Sequence, residues 1–414
     1  MGIIGIGLIL ACSYGFSSNR RAINWKTVVW AFSIQVVLAI LVLRTPVSIV
    51  FEILSKVADW LTSHSEAGTQ FVFGVLGSKA DKLELHAGFA FQILPTLIFF
   101  SAMFSIAYQL GIMQPWIRFI AKITQRAMAI SGAESTSVVA NLVMDQTTAP
   151  LTIRPFLARL TTSELFTIMT SGMAHASGPV LAAYVSLARL APGHSAVEMK
   201  HLLAATVMTI PGSILLSKML LPEVQKPETF GEIVIEMPKP GVNIIEAVVR
   251  GTSDGLSLAV TVAAIVIVFV SLTDMGNGAL GWLHGLHGLG WLPLSMQQLT
   301  GKLFAPVAWM LGITWHDCEA VGNLMGTRLI LNDFVAFGEF GAIGSQITPR
   351  SAIIATYALC GFANLTSVAV QVGAIGALAP ERRPDLAKLG FRALMAATLA
   401  NWMAACLAGL FLQV

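Results

Sequence analysis

The stretch that decides the fold is Asn141-Leu142-Val143-Met144-Asp145-Gln146-Thr147-Thr148-Ala149-Pro150. It lies between two apolar runs that are each too short to span a bilayer, which takes about 20 helical residues. It places a carboxylate, an amide and two hydroxyls in a very hydrophobic sequence. Polar residues at membrane depth are costly and usually mark a pathway or a binding site, and a proline favours a helix break. The stretch is therefore interpreted as the tip of a re-entrant hairpin that forms one half of a substrate site.

The composition indicates the class of protein. The chain has 414 residues, of which 55% are hydrophobic and only 11% are charged, whereas an average soluble domain has about 25% charged residues. The apolar runs are continuous, unlike the alternating segments of an outer-membrane barrel. The four scattered cysteines are typical of buried apolar positions rather than of a disulfide or metal framework. The sequence therefore predicts an all-α polytopic membrane protein.

Eight transmembrane helices are predicted, and residues 44–85 are expected to form interfacial helices. With the N-terminus outside, most of the 25 Lys and Arg residues fall in inside loops, as the positive-inside rule requires. Both termini are therefore predicted to lie outside. The predicted spans are residues 2–16, 28–43, 88–111, 164–188, 201–221, 255–273, 351–379 and 393–412.

One unit of structure occurs twice in the predicted order. A hairpin, an interrupted helix and a plain helix occupy 132–221, and the same order recurs at 303–412 from the opposite face. The second hairpin is expected to comprise apolar pieces at 303–314 and 317–344, with Leu331-Asn332-Asp333-Phe334 between and within them. Opposed copies with broken helices are the signature of a secondary transporter. Four segments are predicted: N-terminal scaffold and interfacial helices (1–131), a first transport repeat (132–221), a loop with a scaffold or trimerisation helix (222–302), and a second transport repeat (303–414).

Five short motifs are distributed from about Ser17 to the C-terminus. They are Ser18-Asn19-Arg20-Arg21-Ala22-Ile23, Leu94-Pro95-Thr96-Leu97-Ile98-Phe99-Phe100, Gln146-Thr147 with Ala149-Pro150, Asn332-Asp333-Phe334-Val335-Ala336, and Leu359-Cys360-Gly361-Phe362-Ala363-Asn364. These motifs resemble those of the concentrative nucleoside transporter family. The resemblance implies a homotrimer with a scaffold domain and a mobile transport domain. It also implies uptake of nucleosides driven by sodium or protons.

The resemblance also implies a set of substrate-binding residues. A base needs amide and hydroxyl partners beside an apolar wall, and a sugar needs bidentate polar partners. The nucleobase side comprises residues of the first hairpin tip and one apolar contact: Gln146, Thr147, Thr148 and Val180. The ribose side comprises Phe362, Asn364, Ser367 and Asp333, which stands where the family usually has a glutamate.

The tip departs from the family pattern at positions that concern the coupling ion. The family usually has Gly-Gln-Thr-Glu where this chain has Asp145-Gln146-Thr147-Thr148, and it has a serine where this chain has His175. Asn141, the Met144 carbonyl and Thr147 could still form a weak sodium site, but imidazole nitrogen is a poor ligand for an alkali ion. A His–Asp pair can carry a proton near neutral pH. Asp145 and His175 are therefore predicted to lie close together and to couple transport to protons, with sodium coupling and uncoupled transport as alternatives.

Structural roles and other functions are alternatives to this interpretation. The tip residues could merely cap half-helices, His175 could be a hydrogen-bonded core residue, and Asp333 could pair with Arg328. The chain has no His-Glu-x-x-His and no Gly-x-Ser-x-Gly, so no enzyme activity and no cofactor are predicted. A channel, or a carrier of the same fold for a modified nucleoside or other small polar solute, is an alternative. The expected partners are a nucleoside, the lipid bilayer of a bacterial inner membrane and two further copies of the chain, with no nucleic acid.

Overall fold

The computed structural model describes residues 1–77, 88–190, 197–231, 241–286 and 293–412. Within these ranges the regular elements are helices, and no strand occurs. This agrees with the predicted all-α class. The α-helices are Gly2–Gly15, Trp25–Arg44, Ser48–Phe73, Leu94–Gln109, Met113–Met128, Gly132–Ala140, Thr162–Ala174, Gly178–Leu190, Met199–Leu220, Ile244–His284, Met296–Leu311, Cys318–Ile330, Asp333–Ile343, Pro349–Leu359, Leu365–Leu378 and Arg383–Phe411.

Five helices are long and apolar enough to cross a membrane, among the residues described. The other predicted spans are the 14-residue helix Gly2–Gly15 and two helices that are each broken into two shorter pieces. The number of eight spans therefore stays a prediction. The five long helices are Trp25–Arg44, Phe89–Gln109, Met199–Leu220, Ile244–His284 and Pro380–Phe411.

Both helices that the predicted repeat expects to be interrupted are broken. The first interrupted helix comprises Thr162–Ala174 and Gly178–Leu190, and residues 175–177 between them are not helical. The second interrupted helix comprises Pro349–Leu359 and Leu365–Leu378, with residues 360–364 as the break. Each break leaves carbonyl groups of the last helical turn without partners in their own helix. Those groups need donors from elsewhere in the chain.

The stretch predicted as the first hairpin consists of a short helix, a run of turns and an irregular second helix. Its first arm is Gly132–Ala140, and residues 141–148 form a run of turns that we call the first tip. The second arm, Ala149–Arg159, is a 3₁₀ helix with a kink at Ile153. Pro150 lies in the first turn of that arm, where a missing backbone N–H costs little.

The second hairpin differs from its prediction. Residues 303–314 belong mostly to a separate helix, Met296–Leu311, which ends at Gly312 with a φ of 102°. The two arms are instead Cys318–Ile330 and Asp333–Ile343, and we call the break between them, Leu331 and Asn332, the second tip. The sequence did not reveal this because both arms are apolar. The one local signal for the start of the second arm is Asn332, whose side chain caps that helix by accepting from Phe334 N.

Two capping boxes fix where the first arm and the first interrupted helix begin. Ser131 with Glu134, and Thr161 with Glu164, each form a reciprocal pair of bonds at a helix start. The two boxes are joined, since Ser131 Oγ donates to Glu164 Oε1 at 2.6 Å. Lys218 forms a buried ion pair with Glu134. This cluster ties the two elements together, and Glu134 serves both in a capping box and in the ion pair.

The long helix Ile244–His284 packs closely on Leu94–Gln109. A side chain at Gly251 or Gly255 would overlap the backbone or side chains of Ala102, Ser101 and Ile98, so the spacing Gly-x-x-x-Gly permits close approach. Ser105 Oγ also donates to the Ala247 carbonyl at 2.7 Å. Most of the long helix is otherwise exposed. One edge of it forms a wall of the site described next.

Candidate functional site

A cavity of about 280 Å³ lies between the first tip, the second tip, the second helix break and the long helix. We call it the site cavity. Most of the predicted substrate-binding residues line it, although they come from elements far apart in the sequence. Those residues are Gln146, Thr147, Thr148, Asp333, Phe362, Asn364 and Ser367, and Asp145 lines it as well.

Asp145 organises the first tip. Its Oδ1 accepts from the backbone N–H groups of Thr147 (3.0 Å) and Thr148 (2.8 Å), and from both threonine hydroxyls at 2.7 Å. Because both hydroxyls donate to Asp145, each has only lone pairs left for other partners. The tip therefore offers hydroxyl acceptors to the cavity, and the carboxylate holds them in place.

Replacing Asp145 with asparagine is expected to loosen the tip. Bonds to a charged acceptor are roughly twice as strong as neutral ones, so the loss is about 1–2 kcal/mol over the four bonds. We expect lower thermal stability and weaker ligand binding in detergent-purified protein. Asp254→Asn is the control, since Asp254 lines the same cavity from the long helix. Equal effects of the two changes would mean that only charge in the cavity matters and not the tip bonds.

Asp333 is buried at the start of the second hairpin's second arm, with 1% of its surface exposed. Arg328 Nε donates to Oδ1 at 3.2 Å, and Asn364 Nδ2 donates to Oδ2 at 2.5 Å. Asn364 Oδ1 in turn accepts from Ser367 N and caps the helix after the break. A carboxylate has about four lone-pair positions. Asp333 therefore keeps capacity for donors from a ligand. The alternative structural role, an ion pair with Arg328, is present.

Arg328 contributes more than a counter-ion. It donates to the carbonyls of Ala358 (2.6 Å) and Gly361 (3.2 Å) at the second break, and to Asn401 Oδ1 at 2.6 Å. Asn401 Nδ2 donates to the carbonyl of Ala174 at the first break, at 2.8 Å. Arg328 and Asn401 thus supply donors to both helix breaks. Sequence reasoning missed Asn401, for which a lone amide in the apolar last span was the available signal.

The long helix supplies polar lining that was not predicted. Asp254, Ser257 and Thr261 all line the site cavity. Their spacing of three and four residues places them on one face of a helix, which the sequence would have allowed us to notice. A second cavity of about 360 Å³ adjoins the first and shares Asp145 and Asp254 with it.

The coupling candidates have separate partners. His175 Nδ1 donates to the Ser171 carbonyl at 2.7 Å, and Asn141 Nδ2 donates to Ser171 Oγ at 3.2 Å. Asp145 makes its bonds within the tip, and no hydrogen bond joins it to His175 in the part of the chain that the structure describes. Their pairing stays a prediction.

Three other predicted residues lie away from the site cavity. Val180 is fully buried and lines neither of the two cavities. Met144 lines the second cavity, and Asn141, the first residue of the tip, is buried. Their roles as an apolar base contact and as sodium ligands stay predictions.

Comparison with known proteins identifies the family. Three family models match: "Na+ dependent nucleoside transporter N-terminus" over residues 4–76, "Nucleoside recognition" over 90–190 and "Na+ dependent nucleoside transporter C-terminus" over 201–409. The chain belongs to the Na+-dependent nucleoside transporter family. This concentrative nucleoside transporter is therefore a membrane transport protein and not an enzyme, as predicted.

Relatives of this nucleoside transporter span its full length. The nucleoside permease NupC of Helicobacter pylori is 36% identical and is matched over 99% of this chain and 97% of its own. The sodium/nucleoside cotransporter 1 of Rattus norvegicus is 35% identical over 98% of this chain and 63% of its own. The structure of CNTnw in an inward-facing substrate-bound state superposes with a TM-score of 0.90 at 36% identity, covering 99% of this chain and 97% of that one.

Proposed function

We propose that this protein takes up nucleosides across a bacterial inner membrane by alternating access, with the substrate held in the site cavity. The observation that supports this most is the convergence of both tips and the second helix break on one cavity. The two transport repeats would then each supply one side of the site. Opposed repeats around a central site are how many secondary transporters alternate access.

The chemistry of the cavity suits the two halves of a nucleoside. The first tip offers the Gln146 amide and two hydroxyl acceptors, which can bind the polar edge of a base. On the other side, Asp333 and Asn364 can accept hydroxyl protons from the ribose, and Phe362 offers an apolar surface. Val180 is fully buried and does not line the cavity, so we assign it an indirect role in shaping the base side.

We propose coupling to protons rather than sodium. Asn141 Oδ1 and His175 Nε2 are buried acceptors that receive no donor from any described residue. Buried acceptors without donors are costly, and a bound cation or proton would satisfy them. Because imidazole nitrogen binds a proton in preference to an alkali ion, a proton on Nε2 fits this set best. Asp145 would then respond through the tip.

The exposed apolar surface supports membrane and trimer assignments. The long helix leaves large side chains such as Val260, Ile267 and Val268 exposed in a single copy, which suits contact with lipid or with neighbouring copies. We propose a homotrimer. One face of this helix would line the site cavity of its own copy, and the exposed face would contact lipid or neighbouring copies. The distribution of Lys and Arg supports both termini lying outside.

Uptake into proteoliposomes tests both the substrate and the coupling. With purified protein, we expect saturable nucleoside uptake that is accelerated by an inward proton gradient at constant sodium. A sodium gradient at constant pH should have little effect. Uptake that follows sodium alone would contradict proton coupling, and no uptake or binding of any nucleoside would contradict the proposed function.

Restoring the usual family residues should change the ion that drives uptake. The triple variant Asp145→Gly, Thr148→Glu and His175→Ser is expected to become sodium-dependent, because it returns oxygen ligands and removes the imidazole. The matched control is His201→Ser, which removes a histidine outside the predicted sodium and proton sites. An unchanged ion dependence in the triple variant would show that the coupling site lies elsewhere.

A further inference from the structure

Gln371 was not predicted and does not line the site cavity, yet it contacts a residue that does. It lies in Leu365–Leu378, one helical turn after Ser367, and only 1% of its surface is exposed. Its Nε2 donates to the carbonyl oxygen of Met169 at 3.1 Å and to Gln146 Oε1 at 3.2 Å. It therefore joins the first interrupted helix to the first tip.

The Met169 carbonyl fixes which way the Gln371 amide points. This carbonyl belongs to the backbone of Thr162–Ala174, so it can only accept and has no freedom to rotate. A reversed Gln371 amide would place Oε1 against that oxygen. Oε1 receives no donor from any residue in the described ranges, so no hydrogen bond there favours the reversed orientation.

The orientation of the Gln371 amide also determines which atoms Gln146 and Ser367 use in their hydrogen bonds. Because Gln371 Nε2 also faces Gln146, Gln146 has to offer its Oε1. Its own Nε2 then donates to Ser367 Oγ at 3.2 Å. Ser367 thus accepts from Gln146, and its hydroxyl proton remains available to a ligand in the cavity. The three side chains form a relay whose direction is set by one backbone carbonyl.

Close packing leaves the relay little alternative geometry. A side chain at Gly172 would overlap Gln371 Nε2 and would lie 3.2 Å from Gln146 Cβ. Gly172 is fully helical, one turn from the first break. The absence of a side chain at this position is what allows Gln371 to reach Met169 and Gln146 together.

We propose that Gln371 is a positioning residue that sets base selectivity through the orientation of the Gln146 amide. Gln146 has one free N–H and one free lone-pair position after its relay bonds are made. A reversed amide would exchange the two and so would change which base edge is accepted. The inference rests on the proposed function, since it requires a nucleoside in the site cavity.

Gln371→Met tests this, because methionine fills a similar volume and removes the donor. The measurement is kcat/KM for uptake of nucleosides compared two at a time. Uridine against cytidine and inosine against adenosine differ in the base, whereas uridine against 2′-deoxyuridine differs in the sugar. For at least one of the two base comparisons, we expect the wild-type kcat/KM values to differ by about tenfold, which corresponds to the energy of one hydrogen bond. The variant should lose that difference. The sugar ratio should change by less than the base ratio, since Asp333 and Asn364 are untouched and only Ser367 is affected through the relay.

The control and a second variant keep the outcomes distinct. Gln70→Met makes the same change on an exposed helix surface and should leave both ratios unchanged. Gly172→Ala displaces Gln371 without replacing it, so it should reduce the difference in kcat/KM between bases as Gln371→Met does. This variant provides the test if the methionine variant does not fold. Equal losses for all substrates, or no base discrimination by wild-type protein, would overturn the inference. If wild-type protein moves no nucleoside at all, the proposed function fails instead.

Discussion

Replacing Arg328 with methionine is expected to abolish nucleoside uptake and to destabilise the protein by about 3–5 kcal/mol, the usual cost of removing one partner of a buried ion pair. The change leaves the Asp333 carboxylate buried without its cation. It also removes the donors to Ala358, Gly361 and Asn401. The measurement is thermal unfolding of purified protein together with uptake into proteoliposomes.

A second change and a surface control separate the two consequences. Arg328→Met with Asp333→Leu removes both charges, so part of the stability should return while uptake stays absent, because the carboxylate that we assign to ribose is gone. Arg189→Met breaks an exposed pair with Asp59 and should cost less than about 1 kcal/mol. If Arg328→Met were as mild as Arg189→Met, the buried pair would not have the role described.

Replacing Gly361 with alanine is expected to have the second-largest effect. Gly361 has a φ of 136°, a conformation that side-chain-bearing residues rarely adopt. An added Cβ would overlap the Ala174 carbonyl oxygen and would lie 2.9 Å from Asn401 Oδ1. The two helix breaks touch at this point, so relief of the overlap has to separate them. We expect a loss of about 2–4 kcal/mol from strain and overlap together, and uptake reduced to background.

Gly373→Ala, in the same interrupted helix, is expected to raise stability instead of lowering it. Gly373 lies within Leu365–Leu378, and an added Cβ there meets no atom within 4 Å. Alanine in a helix interior is favoured over glycine by about 0.5–1 kcal/mol. The midpoint of thermal unfolding should therefore rise in Gly373→Ala and fall in Gly361→Ala. Similar shifts in both variants would show that the contact between the breaks is not what requires glycine at 361.

The sequence located most of the candidate site because polar residues in apolar spans are few. Asp145, Gln146, Asp333 and Asn364 were selected for that reason and by resemblance to a family, and all four line one cavity. Gln371 and Asn401 are also polar and are fully buried. Asn401 was missed because it lies in a continuous apolar span with no break beside it. Gln371 was missed because it lies one turn beyond the polar motif at the second break, where one amide is readily taken as packing.

The second hairpin shows where an apolar pattern is insufficient. A run such as 303–344 can be divided into helices at several places, since hydrophobicity is similar throughout. The structure divides it at Gly312 and again at Asn332, where a positive φ and an N-cap end and begin helices. Those local signals become decisive only when the arms pack on their neighbours.

By itself the sequence determined the class of protein, the two breaks and the first tip, because polar and apolar residues separate strongly when the surroundings are lipid. The tertiary structure decided which polar groups meet. In the first tip, Asp145 bonds Thr147 and Thr148 rather than His175. Arg328 and Asn401 join the breaks across distances of tens to hundreds of residues. Such bonds depend on the directions of individual donors and acceptors, which hydrophobic periodicity does not contain.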